Sequence, residues 1–262
     1  MDFKAIREDI IDYTGEDNIF YKETALTGSE ALTEKVFDVP PLPGECANLR
    51  DEIQMTYHKE NFAVKIALSV CEERRLFTAL YAPKTYFICL KDYFHGRRLI
   101  IPYYDDYGKV GSYISRKIME GDSKAKYLIK VNSDKPVFNL HRVDPLYPYI
   151  FVFEGALDAI FVKNGVAITG VSMTDSQSLA IRSAFPFHTI IWCFDNHRME
   201  KDEVVRKIKD KIKEGERVFL YNNEFAKTKD IGEYCATNGL DYVDTERILE
   251  NSHVGNLCLM RM

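Results

Sequence analysis

Four short apolar runs decide the fold: YIFVFEG at residues 149–155, GVAITG at 165–170, HTIIWCFD at 188–195 and RVFLY at 217–221. Each is continuous rather than alternating, which suits strands covered on both faces of a parallel sheet. Between them lie helical stretches over Leu157 to Lys163, Ser176 to Ala184, Lys201 to Lys213 and Asp230 to Thr237. Strand and helix in alternation predict an α/β domain. In an open parallel sheet, ligands collect beyond the carboxyl ends of the strands. That rule selects Glu154-Gly155 after the first run, Asp195-Asn196-His197 after the third, and Lys227-Thr228-Lys229-Asp230 beyond the fourth. Gly155 permits a sharp exit from its strand. Carboxylates gathered on one rim repel one another unless a divalent cation or a lysine sits among them, and oxygen ligands of this kind suit magnesium or manganese.

Upstream the grammar differs. Residues 91–142 hold eleven Lys or Arg against six Asp or Glu, a surplus in a 262-residue chain whose net charge is −5. Any nucleic-acid surface must therefore be local, and this basic stretch is its candidate, the alternative being an ordinary solvated face. The stretch RRLIIPYYDDYGKVGSYISRKI from Arg97 reads as a small β unit with a hairpin turn at Asp105-Asp106-Tyr107-Gly108. Tyr103, Tyr104, Tyr107, Tyr113 and Tyr127 interleave with the basic residues and offer either stacking faces or core. Residues 49–82 carry helix-like spacing and predict two helices. Ile6, Ile10 and Ile11 suggest a helical turn before a linker or rigid turn at Pro40-Pro41-Leu42-Pro43-Gly44. We expect four parts: an N-terminal helical segment and linker over 1–45, a helical and basic α+β subdomain over 46–145, an α/β domain over 146–240 and a helical tail over 241–262. Six scattered cysteines read as reduced structural thiols, with no zinc site predicted. No apolar run suffices to cross a bilayer and no signal-peptide core opens the chain, which points to a cytoplasmic protein with no membrane partner.

The run Phe153-Glu154-Gly155-Ala156-Leu157-Asp158-Ala159, followed by Gly165 to Gly170, resembles the EGxxD segment of the Toprim fold. Arg98 to Pro102, Gly108, Ser115-Arg116 and Lys126-Tyr127-Leu128 resemble the basic strands that precede Toprim in bacterial and phage primases of the DnaG type. Trp192 to Asn196, Gly215 to Val218 and Lys227 to Asp230 look closest to the primases of T-even-type phages. The likeness runs over roughly residues 75 to 250.

The resemblance implies a Toprim domain, a Rossmann-like parallel sheet with flanking helices, that makes RNA primers on a single-stranded DNA template in the cytoplasm of the bacterial host. It implies catalytic roles for Glu154, Asp195 and Asp158, and Mg2+ or Mn2+ held by Glu154, Asp195, His197 and Asp230. Arg98, Arg116, Lys124, Lys126 and Lys229 would hold template or ribonucleoside triphosphate. Two departures stand out. The family's second acidic position, in Asp-x-Asp, is His197 here, and an imidazole suits manganese better than magnesium. The zinc ribbon of full-length primases has no counterpart among residues 1–95, so a replicative helicase or a separate zinc-module protein becomes an expected partner. A Toprim nuclease and a non-catalytic nucleic-acid-binding Toprim protein are the competing readings. At single residues, Glu154 could be a helix cap, Asp195 a turn residue and His197 an ordinary loop histidine.

Overall fold

The structure is a computed structural model that describes residues 10–12, 18–21, 42–105, 107–120, 125–130, 135–168, 170, 173–199 and 202–261. It divides into two compact units that interleave along the chain. One comprises residues 1–67, 86–102 and 110–134; the other comprises 68–85, 103–109 and 135–262. Each unit draws on several stretches of the chain, because strands contributed by distant segments close one sheet.

Among the described residues that sheet has seven strands: β1 (Ile10–Asp12), β2 (Asn18–Tyr21), β3 (Glu45–Asn48), β4 (Phe87–Lys91), β5 (Arg98–Tyr104), β6 (Val110–Lys117) and β7 (Tyr127–Ile129), in the order β1-β2-β7-β6-β5-β4-β3. A helical turn is expected around Ile10, and the backbone there is a strand instead. β2 pairs with the edge of β7, and β1 with β2, so backbone groups of an otherwise open edge find partners. Asp106 of the anticipated hairpin lies outside the described residues, but the turn is present. Asp105 Oδ1 accepts from the N–H groups of Tyr107 and Lys109, both at 2.9 Å, and Gly108 takes φ +74°. The two helices expected between 49 and 82 are α1 (Glu52–Tyr57) and α2 (Phe62–Glu73). Asp51 caps α1 by accepting from the N–H groups of Ile53 and Gln54.

The second unit runs β8 (Tyr149–Phe153), α3 (Ala156–Ala159), β9 (Gly165–Ala167), α4 (Asp175–Ala184), β10 (Thr189–Cys193), α5 (Asp202–Lys213), β11 (Arg217–Phe219), α6 (Ile231–Asn238), α7 (Thr245–Glu250), β12 (Ser252–His253) and α8 (Gly255–Arg261). Its sheet order is β12-β11-β10-β8-β9, parallel except for β12. The tail, expected to be helical, holds α7 and α8 and adds the antiparallel edge strand β12 between them. One face buries Ile150, Val152, Val166, Trp192 and Val218 against Ile181 of α4 and Val204, Ile208 and Ile212 of α5. On the other face Phe151, Phe161, Phe219 and Phe225 are fully buried, each worth about 2–3 kcal/mol of transfer free energy. Both faces are covered, which is why the strands lack alternation.

Helix α3 is a single turn, shorter than expected. Asn164 at φ +53° reverses the chain into β9, and its side-chain amide donates to the carbonyls of Asp144 and Tyr149, both at 3.1 Å. No described helix is long and apolar enough to cross a membrane.

Candidate active site

The chain passes from β8 through α3 to β9 on one side, then crosses to β10 on the other side of β8. The switch of direction thus falls between β8 and β10, where an open α/β sheet forms its ligand crevice. Phe153 is level with Cys193 in the ladder. Glu154 therefore leaves β8 beside the end of β10, and Asp195 follows two residues after Cys193.

Three aspartates gather at this end. Burial, then the Asp230 and Asp195 charges, push the Asp158 carboxyl well above the usual carboxylate range, against a hydrogen bond from the Gly232 N–H at 2.9 Å. The buried Tyr221 phenol is raised as well, first by burial and then by the same three aspartates. Room for Asp158 comes from missing side chains. A Cβ on Gly155 would lie 2.8 Å from Asp158 Oδ2, and one on Gly232 would lie 3.1 Å from Asp158 Oδ1.

Each acid also has a local role. Gly155 occupies the cap position of α3, with no side-chain cap bond, so Glu154 is not a cap. Its Oε2 instead meets Lys207 Nζ at 2.9 Å. Asp195 Oδ2 lies 4.0 Å from Lys229 Nζ. Asp230 caps α6, accepting from the Glu233 N–H at 2.6 Å.

Asn196 holds the loop in place. It is fully buried, its side-chain amide donates to the Thr228 carbonyl at 2.7 Å, and its N–H donates to the Lys229 carbonyl at 2.7 Å. His197 is 8% exposed rather than an open loop residue, and neither ring nitrogen has a hydrogen-bond partner. Burial, then the Arg198 guanidinium, lower its pKa. Asp195 and Asp230 instead add to burial in raising Asp158, and together with Asp158 they do the same at Tyr221.

Among the described residues no three His, Cys, Asp or Glu side chains close on a common point as metal ligands. The chemistry of the donor set nonetheless fits magnesium or manganese. Such ions are held by one or two carboxylates and complete their shell with waters and substrate phosphates, and the negative charge of Asp230 and Asp195 that helps raise Asp158 is charge a cation would offset.

The basic residues of the first unit separate into two kinds. Arg98 is 5% exposed and its guanidinium is committed: Nη2 donates to the Ala125 carbonyl at 2.7 Å and the Lys126 carbonyl at 3.2 Å, and Nε donates to Ser115 Oγ at 3.2 Å. That placement corrects the expected phosphate contact, because a buried guanidinium satisfied by carbonyls braces the segment before β7. Arg116 and Lys126 are partly exposed and flank Tyr127. The Arg116 guanidinium donates to the Tyr127 hydroxyl and lies 5.1 Å from the ring centroid, with Lys126 Nζ at 5.9 Å. Arg116 and Tyr127 are ladder partners on β6 and β7. Lys124 lies outside the described residues.

No family model matches the chain. Among curated proteins it is similar to the DNA primase of Enterobacteria phage T4, 28% identical over 154 residues, covering 58% of this chain. The resemblance to phage primases stands. The match spans 42% of that primase. Among solved structures, the chain resembles the Aquifex aeolicus primase (zinc binding and RNA polymerase domains) at 21% identity and a TM-score of 0.46, over 78% of this chain and 49% of that one. It also resembles the RNA polymerase domain of Mycobacterium tuberculosis primase DnaG at 18% identity and a TM-score of 0.48, over 77% and 67%.

Lys207 and Gly232 are absent from the sequence-derived set. Lys207 sits in a lysine-rich helix where every lysine looks solvated. Its one distinguishing sign is its place between the buried Val204 and Ile208, four residues after Glu203.

Proposed function

We propose that the chain is the polymerising core of a DNA primase, joining ribonucleotides on a single-stranded DNA template by metal-dependent nucleotidyl transfer. The observation that carries this reading is the placing of Glu154 and Asp195 at the ends of the two strands that flank the switch point. The sequence similarity to phage T4 primase supports it.

In this reading Glu154 and Asp195 hold Mg2+ or Mn2+, with Asp158 and Asp230 completing the negative field. The ion supplies charge neutralisation at the triphosphate and a lower pKa for the attacking 3′ hydroxyl. Asn196 keeps Asp195 in place through the Thr228 and Lys229 carbonyls. Lys229, beside Asp195, is positioned to meet a phosphate. Arg116, Lys126 and the face of Tyr127 hold the single strand by charge and stacking, with Lys124 proposed in the same role.

A zinc-module protein and the replicative helicase are the proposed partners, since template reading in the resembled family depends on a zinc ribbon. The host cytoplasm is the proposed location. The test is to incubate the protein with single-stranded template, labelled ribonucleotides and either ion. Primers or extended primers are expected. Cleaved template without synthesis would make the protein a nuclease, and neither product would leave a binding protein.

A further inference from the structure

We propose that Lys207 is the resident counterion of the acidic rim: its ammonium occupies the flank of Glu154 that a divalent ion takes, and it moves aside when that ion binds. This rests on the reading of Glu154 as a metal ligand. Lys207 Nζ lies 2.9 Å from Glu154 Oε2 and 3.2 Å from Glu203 Oε1. The side chains of Lys207 and Glu154 are only 15% and 23% exposed, so solvent screens the pair less than an exposed salt bridge.

Glu203, at 58%, faces solvent. That asymmetry gives the ammonium somewhere to go. Four residues apart on α5, Glu203 and Lys207 are helical neighbours, so the lysine can release Glu154 and keep an ionic partner. The buried stripe of Val204, Ile208 and Ile212 fixes α5 against the sheet, and with it the root of the Lys207 side chain.

An ammonium offers one charge and three N–H donors, whereas a divalent ion would offer two charges and direct coordination to oxygen. Lys207 thus keeps the crowded acids compact without metal and sets a threshold for metal binding. The exchange is purely ionic: one contact breaks, another persists, and no covalent bond changes.

The test is manganese titration of the nucleotide-free protein by calorimetry or by the paramagnetic signal of the free ion. Lys207→Met should bind manganese about tenfold more tightly than the parent, because a competitor at close range in a partly desolvated site is gone. Lys209→Met, on the exposed side of the same helix, removes the same charge without touching Glu154 and should change affinity by less than about twofold. Lys207→Gln serves as a second variant should the methionine disturb folding, and is expected to tighten binding in the same direction.

Equal affinities for parent, Lys207→Met and Lys207→Gln, or equal gains in Lys207→Met and Lys209→Met, would overturn the proposal. Glu154→Gln separates the two levels. Lost manganese binding there with no gain at Lys207 removes the counterion role alone. Unchanged binding in Glu154→Gln removes the metal reading on which it rests.

Discussion

His95 Nδ1 and Ser115 Oγ are 2.8 Å apart inside the first unit, and Arg98 Nε donates to the same hydroxyl at 3.2 Å. His95 is 2% exposed, and burial pulls its pKa down to about 4, with Asp92 opposing and Arg98 assisting. The folded state therefore binds this proton more weakly than the unfolded chain, whose histidine titrates near 6.5. Stability from this group is fully present above pH 6.5 and is lost as pH falls towards 4, by at most about 3 kcal/mol. Denaturant melts of the parent should show a stability slope across that window that is flatter in His95→Gln. Equal slopes would show that His95 charges freely in the fold.

Arg98 and Arg116 should part company on substitution. Arg98→Ala strands the Ala125 and Lys126 carbonyls and is expected to cost about 3 kcal/mol of stability. Arg116→Ala and Lys126→Ala should cost less than about 1 kcal/mol, yet weaken single-stranded DNA binding for all sequences alike. The pair together should flatten the slope of log affinity against log salt by about 1.4, at roughly 0.7 per phosphate contact. An unchanged slope would return Arg116 and Lys126 to an ordinary solvated face.

Gly232 lies within α6, where Gly→Ala normally gains about 1 kcal/mol. Here a Cβ would stand 3.1 Å from both Asp158 Oδ1 and the Leu157 carbonyl. Gly232→Ala should therefore show no gain in melting temperature and should loosen manganese binding by displacing Asp158. A stabilised variant with unchanged manganese affinity would mean that α6 yields without disturbing the acids.

Much of the second unit is legible in the amino-acid order because its core strands are buried on both faces, so YIFVF and TIIWC stand out as unbroken apolar runs. The rim residues Glu154 and Asp195 follow from where those runs stop. What escapes the sequence depends on tertiary register. Ser252–His253 is too short to signal a strand and pairs only because β11 offers an edge. Lys207 looks like its neighbours until the fold brings its ammonium to Glu154. Arg98 begins an apolar run, RLIIPYY, and that context favours the buried brace it becomes over a phosphate contact.

His197, expected as a metal ligand in place of the family's second carboxylate, should stand off the ion. Its imidazole is enclosed, and burial and Arg198 lower its pKa, whereas Asp230 and Asp195 add to burial in raising Asp158. A ligand nitrogen facing a shared ion would stand in that same field. His197→Asn should accordingly leave manganese affinity within about threefold of the parent, while Glu154→Gln and Asp195→Asn each lower it by tenfold or more, since each removes a charged ligand worth over about 1.4 kcal/mol. Manganese titration checks all three variants. The magnesium-to-manganese ratio of activity gives a second measure, because an imidazole ligand biases a site towards manganese. A loss in His197→Asn equal to that in Asp195→Asn, with a ratio shifted towards magnesium, would put the imidazole on the ion after all and make it the replacement for the missing carboxylate.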